Sequence, residues 1–265
     1  MNSSNHSAQQ HRSPFFRKQI FSMGGTALNW LFPPACVACK RPGFELCAQC
    51  RREIKLVEGR LCPTCGVPHL DAGQCHFCQE DPPAFDGLRS WAIYEGVIRK
   101  MIHALKYQHR LTMALPLGQY LANFYATLHW DIDLIVPVPI SSHRQRQRGY
   151  SQATAIGRVF QRHTALPLKV SALGRLKDSA SQVQMHTVKE RMQNVADVFW
   201  SSPSKVRGKR VLVIDDVCTS SATMRACAGA LKKAGAIKVY GLTVARAGFY
   251  QQQEQFVLVD DLPMD

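Results

Sequence analysis

One segment constrains this chain more than any other: Val211-Leu212-Val213-Ile214, then Asp215-Asp216-Val217-Cys218, then Thr219-Ser220-Ser221-Ala222-Thr223. Four consecutive apolar residues without alternation read as a strand buried on both faces, the pattern of a parallel sheet. Small hydroxylated residues follow, and after them an apolar pattern with helical spacing. A strand, a tight loop and a helix start in this order point several backbone N–H groups at one spot beside the positive end of the helix dipole. That arrangement suits a phosphate. The hydroxyls of Thr219, Ser220 and Thr223 add donors, and the adjacent carboxylates of Asp215 and Asp216 suit the vicinal hydroxyls of a ribose, directly or through a metal. The ligand implied is a sugar phosphate. Neither of the other common phosphate loops, Gly-x-x-x-x-Gly-Lys-Ser/Thr or Gly-x-Gly-x-x-Gly, occurs in the chain.

The segment resembles the 5-phosphoribosyl-1-pyrophosphate (PRPP) motif of type I phosphoribosyltransferases, in which four hydrophobic residues precede an acidic pair and a Thr-Thr/Ser-Gly-x-Thr loop. Ser221 stands where that motif usually has Gly. Gly tolerates a left-handed torsion best, so Ser221 predicts weakened affinity or a variant loop.

Around the motif the chain alternates strands and helices. Gly87 to Tyr94, Asp133 to Val138, Arg210 to Asp215 and Ile237 to Ala245 read as strands. Gly96 to Tyr107, Leu115 to Leu128 and Ala222 to Lys233 read as helices, the last closed by Gly235. The basic segment His143 to Tyr150 reads as a loop before a helix capped near Ser151, and the polar stretch Leu173 to Val195 as a mobile loop with some helix. This order predicts an α/β fold with a doubly wound, mostly parallel sheet, whose ligands sit outside the carboxyl ends of the strands. The motif loop and Pro137-Val138-Pro139 both follow strand ends.

Ahead of this domain lie four Cys-x-x-Cys pairs: Cys36/Cys39, Cys47/Cys50, Cys62/Cys65 and Cys75/Cys78. The spacing lets two thiolates turn onto one tetrahedral zinc ion, so four pairs imply two structural Zn²⁺. Consecutive pairs can share an ion, or the first and third pairs can interleave; spacing leaves both open. Too few large apolar residues lie between Ala35 and Gln79 for an independent core, so metal supplies the folding energy of the module. Cys218, near a helix start, and Cys227, at helical spacing, read as inert core residues, and His69 and His76 as surface residues. Pro82-Pro83 marks the boundary that follows. The domain reading is a disordered tail and a short amphipathic helix (Phe15 to Phe32) over 1–34, a zinc module over 35–80, the α/β domain over 86–248 and a C-terminal tail over 249–265.

The chain carries 33 Lys and Arg against 19 Asp and Glu, a formal charge of +14, which draws anionic partners such as polyphosphate or nucleic acid. No apolar run reaches the roughly 18 residues of a membrane span, and no secretory signal is visible, so a cytoplasmic location is expected.

Further residues narrow the resemblance. Pro137-Val138-Pro139, the arginines ending in Arg148-Gly149-Tyr150-x-Gln152, Leu105-Lys106-Tyr107, and Gln182 followed by Arg191-x-x-Asn194-Val195 are together similar to the ComF family, including its GntX-type members. These carry cysteine pairs ahead of a type I phosphoribosyltransferase domain. The resemblance implies a double zinc ribbon, and a PRPP site with Mg²⁺ built from Asp215, Asp216, Thr219, Ser220, Ser221, Ala222 and Thr223. Arg144, Arg148 and Lys106 supply charge to that site. It further implies that Asp215 and Asp216 carry any catalysis. The role implied is natural competence, with single-stranded DNA and a competence helicase or recombination protein as partners. The other reading is a phosphoribosyltransferase of nucleotide metabolism acting on an unidentified small acceptor. Several purine enzymes of that class hold an Asp where Thr219 stands, and no replacement base is visible; His103, His109 and His186 read as bystanders. Arg41, Arg51, Arg52 and Lys55 are the zinc-region cations expected to meet DNA.

Overall fold

A computed structural model describes residues 34–69, 71–176 and 198–248. The expected N-terminal tail and helix, the C-terminal tail, and Gln182, His186, Arg191, Asn194 and Val195 lie outside the described residues.

Among the described residues two short helices come first, α1 (Ala48–Arg52) and α2 (His76–Glu80), one in each cysteine module. Then follow β1 (Gly87–Ile93), α3 (Gly96–Tyr107), a 3₁₀ turn (Leu111–Met113), α4 (Ala114–Tyr125) and β2 (Leu134–Pro137). Next come α5 (Ser142–Arg148), α6 (Gln152–Thr164), β3 (Leu173–Arg175), β4 (Phe199–Ser201) and α7 (Pro203–Val206). The last three are β5 (Arg210–Cys218), α8 (Ala222–Lys233) and β6 (Lys238–Arg246).

The main sheet has the order β1-β6-β5-β2, and every pairing is parallel. β5 is central, which is why Val211 to Ile214 are all buried. Val211 and Val213 join one apolar cluster with α8; Leu212 and Ile214 join another with α3, α4 and α6. The α4–α6 contact needs Gly118, where a Cβ would lie 2.6 Å from Val159.

The cysteine modules are not appended to this sheet; they are built into it. Leu56, between the two modules, bridges Ala92 of β1, while the Leu88 N–H donates to the Thr64 carbonyl at 2.7 Å. The otherwise open edge of β1 is thereby covered, removing a row of unpaired backbone groups. Cys36, Cys47 and Cys50 pack into the α3/α4 cluster, and Cys62, Cys65, Cys75 and Cys78 into the α8 cluster.

Three local expectations need correction. Residues 142–148 form helix α5 rather than a loop: the Ser141 hydroxyl accepts from the Arg144 N–H, and Gly149 ends the helix at φ +76°. The helix is polar and mostly exposed, so it carries no apolar period to announce it. Second, Leu173–Arg175 is a strand, paired antiparallel with β4, whose first residue, Phe199, lies 24 positions after Arg175. Its partner is remote in sequence and Gly174 is kept small by the Trp200 indole lying over it. Third, β5 runs on through the acidic pair to Cys218, so Asp215 and Asp216 sit inside the strand end.

Candidate anion site and metal centres

Ile214 marks where the sheet becomes a site. The Val138 N–H donates to its carbonyl at 2.9 Å, so the Pro137-Val138-Pro139 segment remains paired to β5 and opens beside Asp215. After Cys218 the chain turns through Thr219, Ser220 and Ser221 into α8, with Thr219, Ser220 and Thr223 exposed. Ser221 adopts the left-handed conformation, φ +62°. The first helical bond of α8 runs from the Arg225 N–H to the Ser221 carbonyl, at 2.9 Å. The N–H groups of Ala222, Thr223 and Met224 therefore lie in the helix turn that has no intrahelical acceptors. The loop keeps the turn expected of the motif with a serine in the torsion that favours glycine.

The two acids live in different surroundings. Asp216 is 7% exposed and forms an ion pair with Lys106 of α3, Oδ1 to Nζ 2.7 Å. Burial pushes the Lys106 ammonium toward neutrality, but the charge and hydrogen bond of Asp216 together with Asp215 and Tyr94 outweigh it and the net pKa is raised. Asp215 accepts the Asp216 N–H at 2.8 Å. Burial, reinforced by the neighbouring Asp216 charge, raises its pKa from 3.8 to about 7 against the opposing pull of Lys106 and Arg144. Arg144 is thus within the field of the acid pair. Arg148 lies over the Tyr107 ring, 4.8 Å from its centroid. The sequence-derived anion residues are accordingly brought to one end of the sheet from α3, α5, β5 and α8. Gln152 joins them, since it accepts from Arg148 Nη1 at 3.2 Å; its place in the Arg-Gly-Tyr-x-Gln step was the signal for it.

Other residues fall away from the site. Burial raises the Cys218 thiol, and Cys227 is raised further, so both remain unreactive core groups. His103 packs on Tyr107, and His76 faces Glu80 at 3.1 Å. Trp91 stacks on Tyr120 at 4.7 Å as part of the packed α3/α4 face.

The cysteines resolve the pairing question. Cys36, Cys39, Cys47 and Cys50 gather their sulfurs within 4.8 Å of one another, and so do Cys62, Cys65, Cys75 and Cys78; consecutive pairs share a site. Tetrahedral Zn–S bonds of about 2.3 Å require sulfurs roughly 3.8 Å apart. Cys39 to Cys47 is 3.7 Å and Cys65 to Cys75 is 3.5 Å. Backbone N–H groups stabilise thiolate: Cys47 donates to Cys36 Sγ and Cys75 to Cys62 Sγ, each at 3.4 Å. The residues fit zinc. Gly43 and Gly66 carry the turns at φ +87° and +68°, and a Cβ on Gly66 would meet the Leu88 carbonyl oxygen at 2.4 Å.

A parallel sheet with a phosphate-type loop and an acidic pair at its carboxyl edge, preceded by two tetrathiolate ribbons, defines a zinc-ribbon protein with a phosphoribosyltransferase-type domain. Residues 27–80 match the double zinc ribbon domain and residues 120–262 the phosphoribosyl transferase domain. The chain belongs to the phosphoribosyl transferase domain family and carries a double zinc ribbon ahead of that domain. It is similar to the DNA utilization protein YhgH of Escherichia coli (strain K12), 28% identical over 78% of this chain and 94% of that one. It is also similar to competence protein F of Haemophilus influenzae, 29% identical over 76% and 90%, and to competence protein ComFC of Bacillus subtilis, 24% identical over 78% and 86%.

Three outcomes are expected. Elemental analysis of protein purified without added metal should return about two zinc ions per chain, four thiolates to each. Replacement of Cys62, whose site is packed into the α8 cluster, should then lower the melting temperature of the whole domain rather than loosen one loop. For Asp215, the folded chain holds its proton more tightly than the unfolded chain does. That contribution to stability is full at low pH and is lost as pH rises through about 7. Wild type should therefore lose stability relative to Asp215→Asn between about pH 5 and pH 8. A difference in melting temperature that stays constant across that range would show that Asp215 is ionised throughout.

Proposed function

We propose that this chain binds PRPP with Mg²⁺ at the β5–α8 loop and serves, in the cytoplasm, in handling single-stranded DNA acquired by the cell. The observation that carries the reading is the exposed loop 219–223 beside an acid pair whose inner member is held by Lys106. In this reading Asp215 and Asp216 accept hydrogen bonds from the ribose hydroxyls, and the loop N–H groups with the Thr219, Ser220 and Thr223 hydroxyls take the 5-phosphate. Lys106 positions Asp216 through their ion pair, while Arg144 and Arg148 face the diphosphate; Arg offers it a planar fork of donors. Mg²⁺, when bound, neutralises charge on the diphosphate. The DNA role comes from the competence and DNA-utilization names of the relatives and from the charge of +14. A competence helicase or recombination protein is the protein partner that this role calls for. Among the described residues no helix is long and apolar enough to cross a membrane.

Calorimetry with PRPP and Mg²⁺ should detect binding to wild type and none to Asp215→Ala/Asp216→Ala that is still folded; retained affinity in that variant removes the assignment. Ser221 holds φ +62°, a torsion in which Gly carries less strain, so Ser221→Gly should relieve strain whether or not the loop is occupied. It should raise the melting temperature and leave affinity within about twofold. Release of pyrophosphate in the presence of candidate acceptors would add a transfer reaction to the binding role.

For DNA, the cations on the first ribbon are surface residues: Arg41 donates to Gln49, Arg51 to the Tyr120 hydroxyl, and Lys55 pairs with Glu95 at 2.7 Å. Log affinity for single-stranded DNA should fall linearly with log salt and hardly depend on base sequence. Arg51→Ala/Arg52→Ala should flatten the slope by about 1.4, two phosphates at roughly 0.7 each. Absence of salt-dependent binding at low ionic strength would assign the DNA role to a protein partner.

A further inference from the structure

The last turn of α3 joins the acid pair to a second group of side chains. The Leu105 carbonyl accepts from the Tyr150 hydroxyl, Lys106 pairs with Asp216, and the Tyr107 ring carries the Arg148 guanidinium. Three consecutive residues thus lock the Arg148-Gly149-Tyr150 step to the end of β5. Arg148 Nη1 then donates to Gln152 Oε1.

Gln152 is 4% exposed, an unusual burial for a carboxamide on the first turn of a helix. Its orientation is settled by chemistry: a guanidinium offers only donors, so the amide oxygen must face Arg148 and the nitrogen must face away. That nitrogen, Nε2, and Arg148 Nε are both buried and have no hydrogen-bond partner among the described residues. Buried donors are normally satisfied, and leaving one unmade is costly, more so when it is cationic. Side chains that share a hydrogen bond therefore present two unmet donors and no acceptor. They do not serve the neighbouring cavity of about 580 Å³: Gly149, Tyr150 and Ser151 line it, and Arg148 and Gln152 do not. Their connection runs instead through Tyr107 and Lys106 toward Asp216.

We propose that Gln152 is a ligand-recognition residue, its Nε2 acting with Arg148 Nε as a donor pair for an anionic oxygen of the diphosphate of PRPP. The inference rests on the PRPP reading above. Gln152 has two tasks in it: its oxygen orients the guanidinium on Tyr107, and its nitrogen adds a second donor beside it. A neutral amide next to a cation accepts an oxyanion without the desolvation of a second charge.

The test uses the full chain, with calorimetry against Mg²⁺-pyrophosphate, Mg²⁺-PRPP and ribose 5-phosphate, and a melting curve for each variant. Gln152→Glu keeps an acceptor for Arg148 and deletes the donor; Gln152→Met deletes both. Gln152→Glu sheds the unpaired buried donor and keeps the acceptor of Arg148, so it should not melt below wild type, whereas Gln152→Met also leaves Arg148 Nη1 unpaired and its melting curve serves to show that it is folded. The dissociation constants for pyrophosphate and PRPP should rise at least about tenfold, as for loss of a hydrogen bond to a charged group. Affinity for ribose 5-phosphate, which lacks the diphosphate, should not move. Wild type that binds PRPP alongside variants that bind it equally well overturns this inference and leaves the PRPP site standing. A matching loss for ribose 5-phosphate, or a Gln152→Glu variant that melts well below wild type, also overturns it, the second by revealing an internal partner for the amide nitrogen. If wild type binds neither PRPP nor pyrophosphate, both readings fall.

Discussion

The structure turns on the ion pair between Lys106 and Asp216. Two adjacent carboxylates at the end of a central, doubly covered strand cannot both ionise in a low-dielectric setting without a counter-charge. Lys106 supplies it at 2.7 Å, with side-chain exposures of 19% and 10% for the lysine and aspartate. Removing one partner of such a pair leaves an uncompensated buried charge, a loss of about 3–5 kcal/mol. The consequence reaches beyond stability. Asp216 is tied to Lys106 while burial pushes Asp215 up to about 7, and the acid pair therefore presents two carboxyl groups in different surroundings to whatever lies over the loop.

The same lysine explains the place of α3. Its apolar face, from Val97 to Leu105, is buried against the sheet, so the register of its last turn is dictated by core packing. Core packing in turn aims Lys106 at β5 and Tyr107 at α5. The first ribbon holds α3 at both ends: Lys100 in its N-terminal half donates to the Ala38 carbonyl at 3.1 Å, and Arg110, past its C-terminus, pairs with Glu45. The second ribbon holds the other face of the sheet. Arg89 donates to the Pro63 carbonyl at 3.1 Å, and Arg225 at the start of α8 pairs with Asp81 at 2.9 Å. Metal sites usually described as separate modules are here walls of the same core, so zinc and the anion site share one folding unit.

Much of this was legible in the residues because the signals were local. Val211 to Ile214 could only be a central strand, and Gly96 to Tyr107 and Ala222 to Lys233 carry their helical period within themselves. The cysteine spacing named the metal. Helix α5 escaped because a short, solvated Arg/Gln helix has no apolar stripe, and β3 escaped because its partner Trp200 is remote in sequence. The extension of β5 through the acids was hidden because charged residues at a strand end look like loop.

The sequence by itself determined the parallel α/β architecture, the phosphate-type loop with its acid pair, and the existence of two four-cysteine metal sites. These depend on periodicity and on spacings of a few residues. Only the tertiary structure decided that consecutive cysteine pairs share a site and that Lys106 rather than an arginine pairs with Asp216. It also decided that Ser221 keeps the left-handed turn and that Gln152 sits buried against Arg148. Each of these depends on distances between segments tens of residues apart, where packing chooses the partner and no local pattern can.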